Sequence, residues 1–217
     1  MGDSPPLPPV TVALTGASGA IYGLRLVARL LEAGHPVRLL LSRAARLVIR
    51  QEQGLSWEGA DEDGPRGEAF WRDHFRPHCR HGAEQLNHYA LQDWTSPLAS
   101  GSGAAGPMVI CPCTMGTLAA VAQGLSDSLI ERGADVTLKE GRLLILVPRE
   151  TPLTTIHLEN MLKLARMGAV ILPAMPGFYH RPQRVEELVE FVVERILARL
   201  GTPLERAVSW PPANVAL

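Results

Sequence analysis

Four clusters of small or polar residues stand directly after apolar runs, and together they describe a site for an anionic ligand. Val10–Leu14 is followed by Thr15-Gly16-Ala17-Ser18-Gly19, and Val37–Leu41 by Ser42. Pro107–Cys111 is followed by Pro112-Cys113-Thr114-Met115-Gly116-Thr117, and Leu143–Val147 by Pro148-Arg149-Glu150. Glycine at 16 and 19 lets backbone approach a ligand closely, because no Cβ intervenes. The free amides of a helix start carry roughly half a positive charge, so helices opening after Ser18 and after Thr114 offer two anion-accepting positions. Ser18 caps its helix or bonds a phosphate, and both roles are open to it. Arg149 adds a planar, permanently charged fork; its structural alternative is a salt bridge with Glu150 or another neighbour. The glycine turn alone is a weak signal, since its spacing is G-x-x-G-x-x-x-G and not the dinucleotide G-x-G-x-x-G. Four such clusters at strand ends argue for a site, because ligands of open parallel sheets bind outside the carboxyl ends of the strands.

Further candidates lie elsewhere. Arg195 borders the apolar face set by Leu188, Val192, Ile196 and Leu200. There it points into a pocket or interface, or snorkels to water. Tyr179, in an irregular Pro/Gly stretch, supplies a hydroxyl that can reach the same place. Arg132 and Lys139 read, on their own, as surface charges. His74, His78, Cys79, His81 and His88 match no standard zinc spacing and read as a solvated, His-rich surface loop, so no metal site is expected.

The elements that hold these residues alternate strand and helix. Helical spacing follows the first turn to Gly34, where a C-cap belongs, with Pro36 beyond. Residues 43–53 form a second helix. The stretch 56–88 is rich in charge, glycine and histidine and shows no clean period. It reads as an insert or irregular excursion with a short helix near 68–75. A helix runs from Thr114 to about Ala122, and residues 126–139 read as a short helix and connector. Helices over 154–167 and 185–200 flank a strand at 169–172. This alternation predicts an α/β three-layer sandwich with a mainly parallel sheet and helices on both faces.

The chain has 217 residues and a net charge of −1. It is long enough to bury a core without disulfide or metal, and its charge gives no general attraction to nucleic acid. Its three cysteines fit a reducing, cytoplasmic compartment. No apolar run reaches membrane-spanning length. Residues 1–9 read as a disordered Pro-rich arm and neither a signal nor a transit peptide; residues 10–201 form a single domain.

The run TGASGAIYG (Thr15–Gly23), CPCT (Cys111–Thr114), VPRETP (Val147–Pro152) and PAMPGFY (Pro173–Tyr179), in this order, resemble the UbiX-type flavin prenyltransferases over roughly 10–55 and 96–210. The resemblance implies a Rossmann-like, flavodoxin-like flavoprotein assembled as a homododecamer. It implies a reaction that joins a dimethylallyl group, taken from dimethylallyl phosphate, to reduced FMN at N5 and C6, with no metal. The product, prenylated FMN, is the cofactor of UbiD-type decarboxylases in ubiquinone or aromatic-acid metabolism. Carried over by motif, Gly16, Ala17, Ser18, Ser42, Thr114, Met115, Gly116, Thr117 and Arg149 contact FMN. Tyr179 and Arg195 hold the prenyl phosphate, with Lys139, Arg132 and Ser18 near it. Glu150 handles protons, and Glu52 matches a family glutamate. Trp210, in a tail over 202–217, closes over a neighbouring subunit's site. Thr114 replaces the commoner serine and keeps its hydroxyl; Gly177 stands where alanine is usual.

Three rivals are tested by the same residues. A flavin-dependent cysteine decarboxylase needs a catalytic histidine and a Pro-x-Met-Asn clamp, whereas the chain reads Pro173-Ala174-Met175-Pro176 and its His35 sits in a tight connection. A short-chain reductase needs Tyr-x-x-x-Lys, and none of Tyr22, Tyr89 or Tyr179 has lysine four residues on. A non-catalytic flavin-binding protein would bind FMN without turnover.

Overall fold

Short apolar runs closed by glycine or hydroxyl residues form the strands. The computed structural model describes residues 7–55, 65–79, 82–103 and 106–202. Strands β1 (Val10–Leu14), β2 (Val37–Leu41), β3 (Leu86–His88), β4 (Met108–Cys113), β5 (Leu144–Pro148) and β6 (Val170–Ile171) form one sheet in the order β3-β2-β1-β4-β5-β6. All its pairs are parallel. The strand order reverses between β1 and β4, the switch point at which doubly wound sheets open a crevice for ligands.

Helices α1 (Ala20–Glu32), α2 (Arg43–Gln53), α3 (Pro65–Phe75) and α7 (Val185–Leu200) bury their apolar sides in one layer. Helices α4 (Met115–Gln123), α5 (Leu129–Lys139) and α6 (Thr155–Arg166) do so in the other. Strand alternation divides the core between them. Val12, Leu14, Ile145 and Val147 face the first layer; Ala13, Leu144 and Leu146 face the second. With both faces covered, the strands are buried along their length, which explains their continuous apolar runs. Helix α1 lies very close to the sheet at Gly23, where a Cβ would collide with the Cys111 carbonyl and the Leu14 side chain.

The stretch 56–88 differs from its sequence reading. The short helix is present, but longer, as α3, and it is no solvated loop: Trp71 and Phe75 are each 1 % exposed within the first core layer. The aromatic pair falls at i and i+4, one helical face. Arg72 Nε donates to the Leu86 carbonyl at 2.9 Å, and Glu68 accepts from the His88 amide at 3.2 Å. These bonds hold Leu86–His88 beside β2 as the edge strand β3. Residues 56–64 and His81 lie outside the described residues. A second difference concerns 126–139, which holds one eleven-residue helix, α5, opened by a capping box of Ser128 and Glu131. Of the N-terminal arm, Pro8 is held by its carbonyl, which accepts from His35 Nδ1 at 3.1 Å; residues 1–6 lie outside the described residues. Among the described residues no helix is long and apolar enough to cross a membrane.

Candidate functional site

The carboxyl ends of β1, β2, β4 and β5 form a ledge, and the loops on it are bonded to one another. At β1, α1 begins at Gly19, whose φ of 101° is left-handed and suits glycine. No side chain of the turn caps α1, so the capping alternative for Ser18 is not used, and its side chain stands exposed. The cap comes from Glu52 instead. Its carboxylate accepts from the Gly19 amide at 2.9 and 3.1 Å and from the Ala20 amide at 2.9 Å. A carboxylate at this position compensates the positive helix end.

Glu52 reaches this place because of how α2 lies. Ser42 opens α2 on the rim, its Oγ accepting from the Ala45 amide at 3.0 Å. Ala44 packs so closely on the first turn that a Cβ at Gly16 would collide with it. Ten residues after Ser42, Glu52 is still at the rim, so α2 passes across the turn and does not run back beneath the sheet.

At β4, Thr114 caps α4, accepting from the Thr117 amide at 3.1 Å and donating to the Thr117 hydroxyl at 3.0 Å. The first amides of α4, at Met115 and Gly116, precede the helical ladder, and a Cβ at Gly116 would meet nothing within 4 Å. At β5, Arg149 crosses the switch point and donates from Nε to the Ser18 carbonyl at 3.0 Å. It makes no salt bridge with Glu150, whose carboxylate accepts from the Thr151 amide at 3.1 Å. The cationic fork is anchored by its inner nitrogen, with its terminal nitrogens unpaired among the described residues. Open space beside the first turn of α4, together with this uncompensated guanidinium, fits a phosphorylated flavin.

Tyr179 and Arg195 are joined directly, Arg195 Nη2 donating to the Tyr179 hydroxyl at 3.0 Å. Phe191 supports both: the Arg195 guanidinium lies 5.0 Å from its ring centroid, and the Tyr179 ring meets it edge-on at 5.8 Å. A Cβ at Gly177 would come within 2.9 Å of Phe191 and 3.1 Å of Tyr179, so glycine permits this packing.

Arg132 and Lys139 are not brought to the ledge of their own chain. Helix α5 crosses the opposite edge of the sheet, with Gly133 against Met108, the first residue of β4. Arg132 donates to the Ala99 carbonyl at 3.0 Å and pairs with Asp135 at 2.7 Å. Lys139 pairs with Glu140 at 3.0 Å, and residues 140–143 lead directly to the start of β5. Five strand residues span about 17 Å, farther than a lysine reaches. Trp210 lies outside the described residues.

Other candidates fall away from this chemistry. Burial pushes the Cys111 thiol well up, and the Cys113 thiol up to about 12. Both therefore stay protonated near neutral pH and are poor nucleophiles. His35 is 4 % exposed and held between the Pro8 carbonyl and the Thr202 hydroxyl, at 3.1 Å each. It joins α1 to β2 at the starting edge and cannot serve a decarboxylase on the ledge. Among the described residues no group of three or more His, Cys, Asp or Glu could hold a metal ion.

Two participants escaped the sequence reading. Phe191 was signalled only by its place four residues before Arg195, one helical turn away. Thr15 was signalled only as a hydroxyl directly after the first apolar run.

Comparisons with known proteins give the family. A family profile described as Flavoprotein matches residues 3–197. The chain is 51 % identical over 201 residues to the flavin prenyltransferase UbiX of Pseudomonas aeruginosa, covering 93 % of each. It is 35 % identical to AnUbiX (PadA1), solved in complex with FMN and dimethylallyl pyrophosphate, with a TM-score of 0.75 over 93 % of this chain and 97 % of that one. A dodecameric FMN-dependent UbiX-like decarboxylase from Escherichia coli O157:H7 is 35 % identical, with a TM-score of 0.74 over 93 % and 98 %. The chain belongs to the flavoprotein family and, within it, to the UbiX flavin prenyltransferases.

Proposed function

We propose that this chain joins a dimethylallyl group to reduced FMN at N5 and C6, giving prenylated FMN. The observation that carries the reading is the Arg149 guanidinium, anchored on the Ser18 carbonyl between the starts of α1 and α4. On this reading Gly16, Ala17, Ser18, Ser42, Thr114, Met115, Gly116, Thr117 and Arg149 hold FMN. When bound, reduced flavin supplies the nucleophilic ring positions; the chain's residues orient the partners and handle charge.

Breaking the prenyl carbon–oxygen bond leaves extra negative charge on the phosphate. Tyr179 and Arg195 hold that phosphate, and Arg132 and Lys139 add positive charge to it. One such charge at 4 Å is worth about 4 kcal/mol at an effective dielectric of 20. Because α5 lies at the far edge of its own sheet, Arg132 and Lys139 come from a second copy, which fits a homo-oligomer such as the dodecamer of the E. coli relative. Glu150 moves protons beside Arg149, and Ser18 presents its hydroxyl to the reacting groups. Glu52 holds the Gly19 turn in place and stands within reach of the same proton traffic. Trp210, on the tail, closes the site of a neighbour. The product passes to a UbiD-type decarboxylase. Three free thiols support a cytoplasmic setting for the reaction.

The test is anaerobic incubation with reduced FMN and either dimethylallyl phosphate or the pyrophosphate, followed by mass measurement of the extracted flavin. A gain of one dimethylallyl unit is expected with at least one donor. Bound FMN of unchanged mass with both would favour a non-catalytic flavin-binding protein.

A further inference from the structure

Between β1 and β4, regular pairing stops short of the ledge. The matched residues run from Thr11↔Met108 to Ala13↔Ile110. Against β5, β4 changes register between Ile110 and Cys113. Past this point the two strand ends are joined through one residue. The Thr15 hydroxyl donates to the Pro112 carbonyl at 2.7 Å and accepts from the Thr114 amide at 2.8 Å. The Thr15 amide donates to the same Pro112 carbonyl at 3.1 Å. Thr15 is 2 % exposed. Its single hydroxyl proton is committed to Pro112, and a lone pair is committed to Thr114.

We propose that Thr15 is a positioning residue for flavin binding, its hydroxyl setting the spacing between the Gly16–Ser18 turn and the start of α4 across the switch point. The inference rests on the flavin reading of the ledge and deepens it. The amide that Thr15 accepts belongs to the N-cap residue of α4, so the first turn of that helix is indexed to β1. The Thr114 side chain cannot substitute, because it is engaged with Thr117. Replacing the hydroxyl by a methyl of similar size leaves the backbone bond from the Thr15 amide intact. It leaves the Thr114 amide without its partner, and the start of α4 without its reference to β1.

The experiment measures FMN affinity by flavin fluorescence, the visible spectrum of bound flavin, and thermal unfolding. It compares the unaltered protein with T15V, T15S, T15C and T137V. Thr137 is the control, a buried hydroxyl on α5 that donates to the Gly133 carbonyl at 2.7 Å, far from the ledge. In T15V, FMN affinity should fall about tenfold or more, because the start of α4 is no longer held at the spacing the flavin needs and binding must restore it, and the bound spectrum should move toward that of free flavin. T15S, which keeps the hydroxyl, should restore affinity and spectrum. T137V should lose thermal stability while binding FMN as before. Unchanged affinity and spectrum in T15V overturn the inference, as does failure of T15S to rescue, or an equal affinity loss in T137V. If T15V does not fold, T15C decides: its thiol is larger and a much weaker donor and acceptor than the hydroxyl, and full affinity in T15C overturns the inference. An unaltered protein that binds no FMN would instead defeat the flavin reading itself.

Discussion

The ledge and the starting edge of the sheet, to which the proposed function gives different halves of the chemistry, are built differently. On the ledge, residues from separate loops bond one another: Arg149 to Ser18, Thr15 to Pro112 and Thr114, Glu52 to Gly19 and Ala20. At the starting edge, Arg132 and Lys139 are paired with carboxylates on their own helix or one residue beyond it, Asp135 and Glu140, and with the loop at Ala99. The ledge is preorganised within one chain. The starting edge is a compensated patch, and on the proposed reading its cations meet a substrate only in a second copy. On that reading, holding flavin and stabilising a leaving phosphate are separable properties of this protein.

Substitutions can break that separation or sharpen it. The largest effect is expected from Lys139→Ala: transfer should slow by about 10²–10³, the loss typical of one preorganised charge-stabilising group, with FMN affinity unchanged by titration. A parallel loss of FMN binding would show that the two edges are not independent. Arg149→Ala should weaken FMN about ten- to hundredfold, because it removes a charged donor from the ledge; unaltered affinity would remove Arg149 from the flavin contacts. Mixing these two variants under conditions that let subunits exchange, at an FMN concentration too low to fill the Arg149→Ala ledge, should recover about a quarter of wild-type transfer, since random assembly pairs an intact ledge with an intact starting edge that often. No recovery would place both edges' contributions within one chain. The smallest effect lies outside both edges. Burial, and next the neighbouring His78, hold the His74 imidazole below its ordinary value. The unfolded chain then binds this proton more readily, so stability should fall as pH drops from about 6.5 through the folded value. His74→Gln should flatten that part of the pH–stability curve, as followed by urea unfolding.

Sequence alone made the ledge legible because its residues interrupt apolar runs: Gly16, Ser42, Thr114 and Arg149 each stand where a buried strand ends. The edge of the sheet on which Arg132 and Lys139 lie was not legible, since helical spacing over 126–139 says nothing about which end of a strand a helix crosses. The stretch 56–88 hid β3 for a different reason. Three residues between a turn and a loop have no period, and the anchors Trp71 and Phe75 are set among charges that mask their one-turn spacing. Glu52 could be matched but not placed, because its position depends on α2 lying across the strand ends. Amphipathic spacing is indifferent to that direction.

That crosswise helix has an electrostatic consequence. The positive end of α1 is answered by the chain's own Glu52, while among the described residues the start of α4 is closed by the uncharged hydroxyls of Thr114 and Thr15. On the proposed reading an incoming phosphate meets one neutralised dipole and one still exposed, so the two helix ends are unequal in their pull on it.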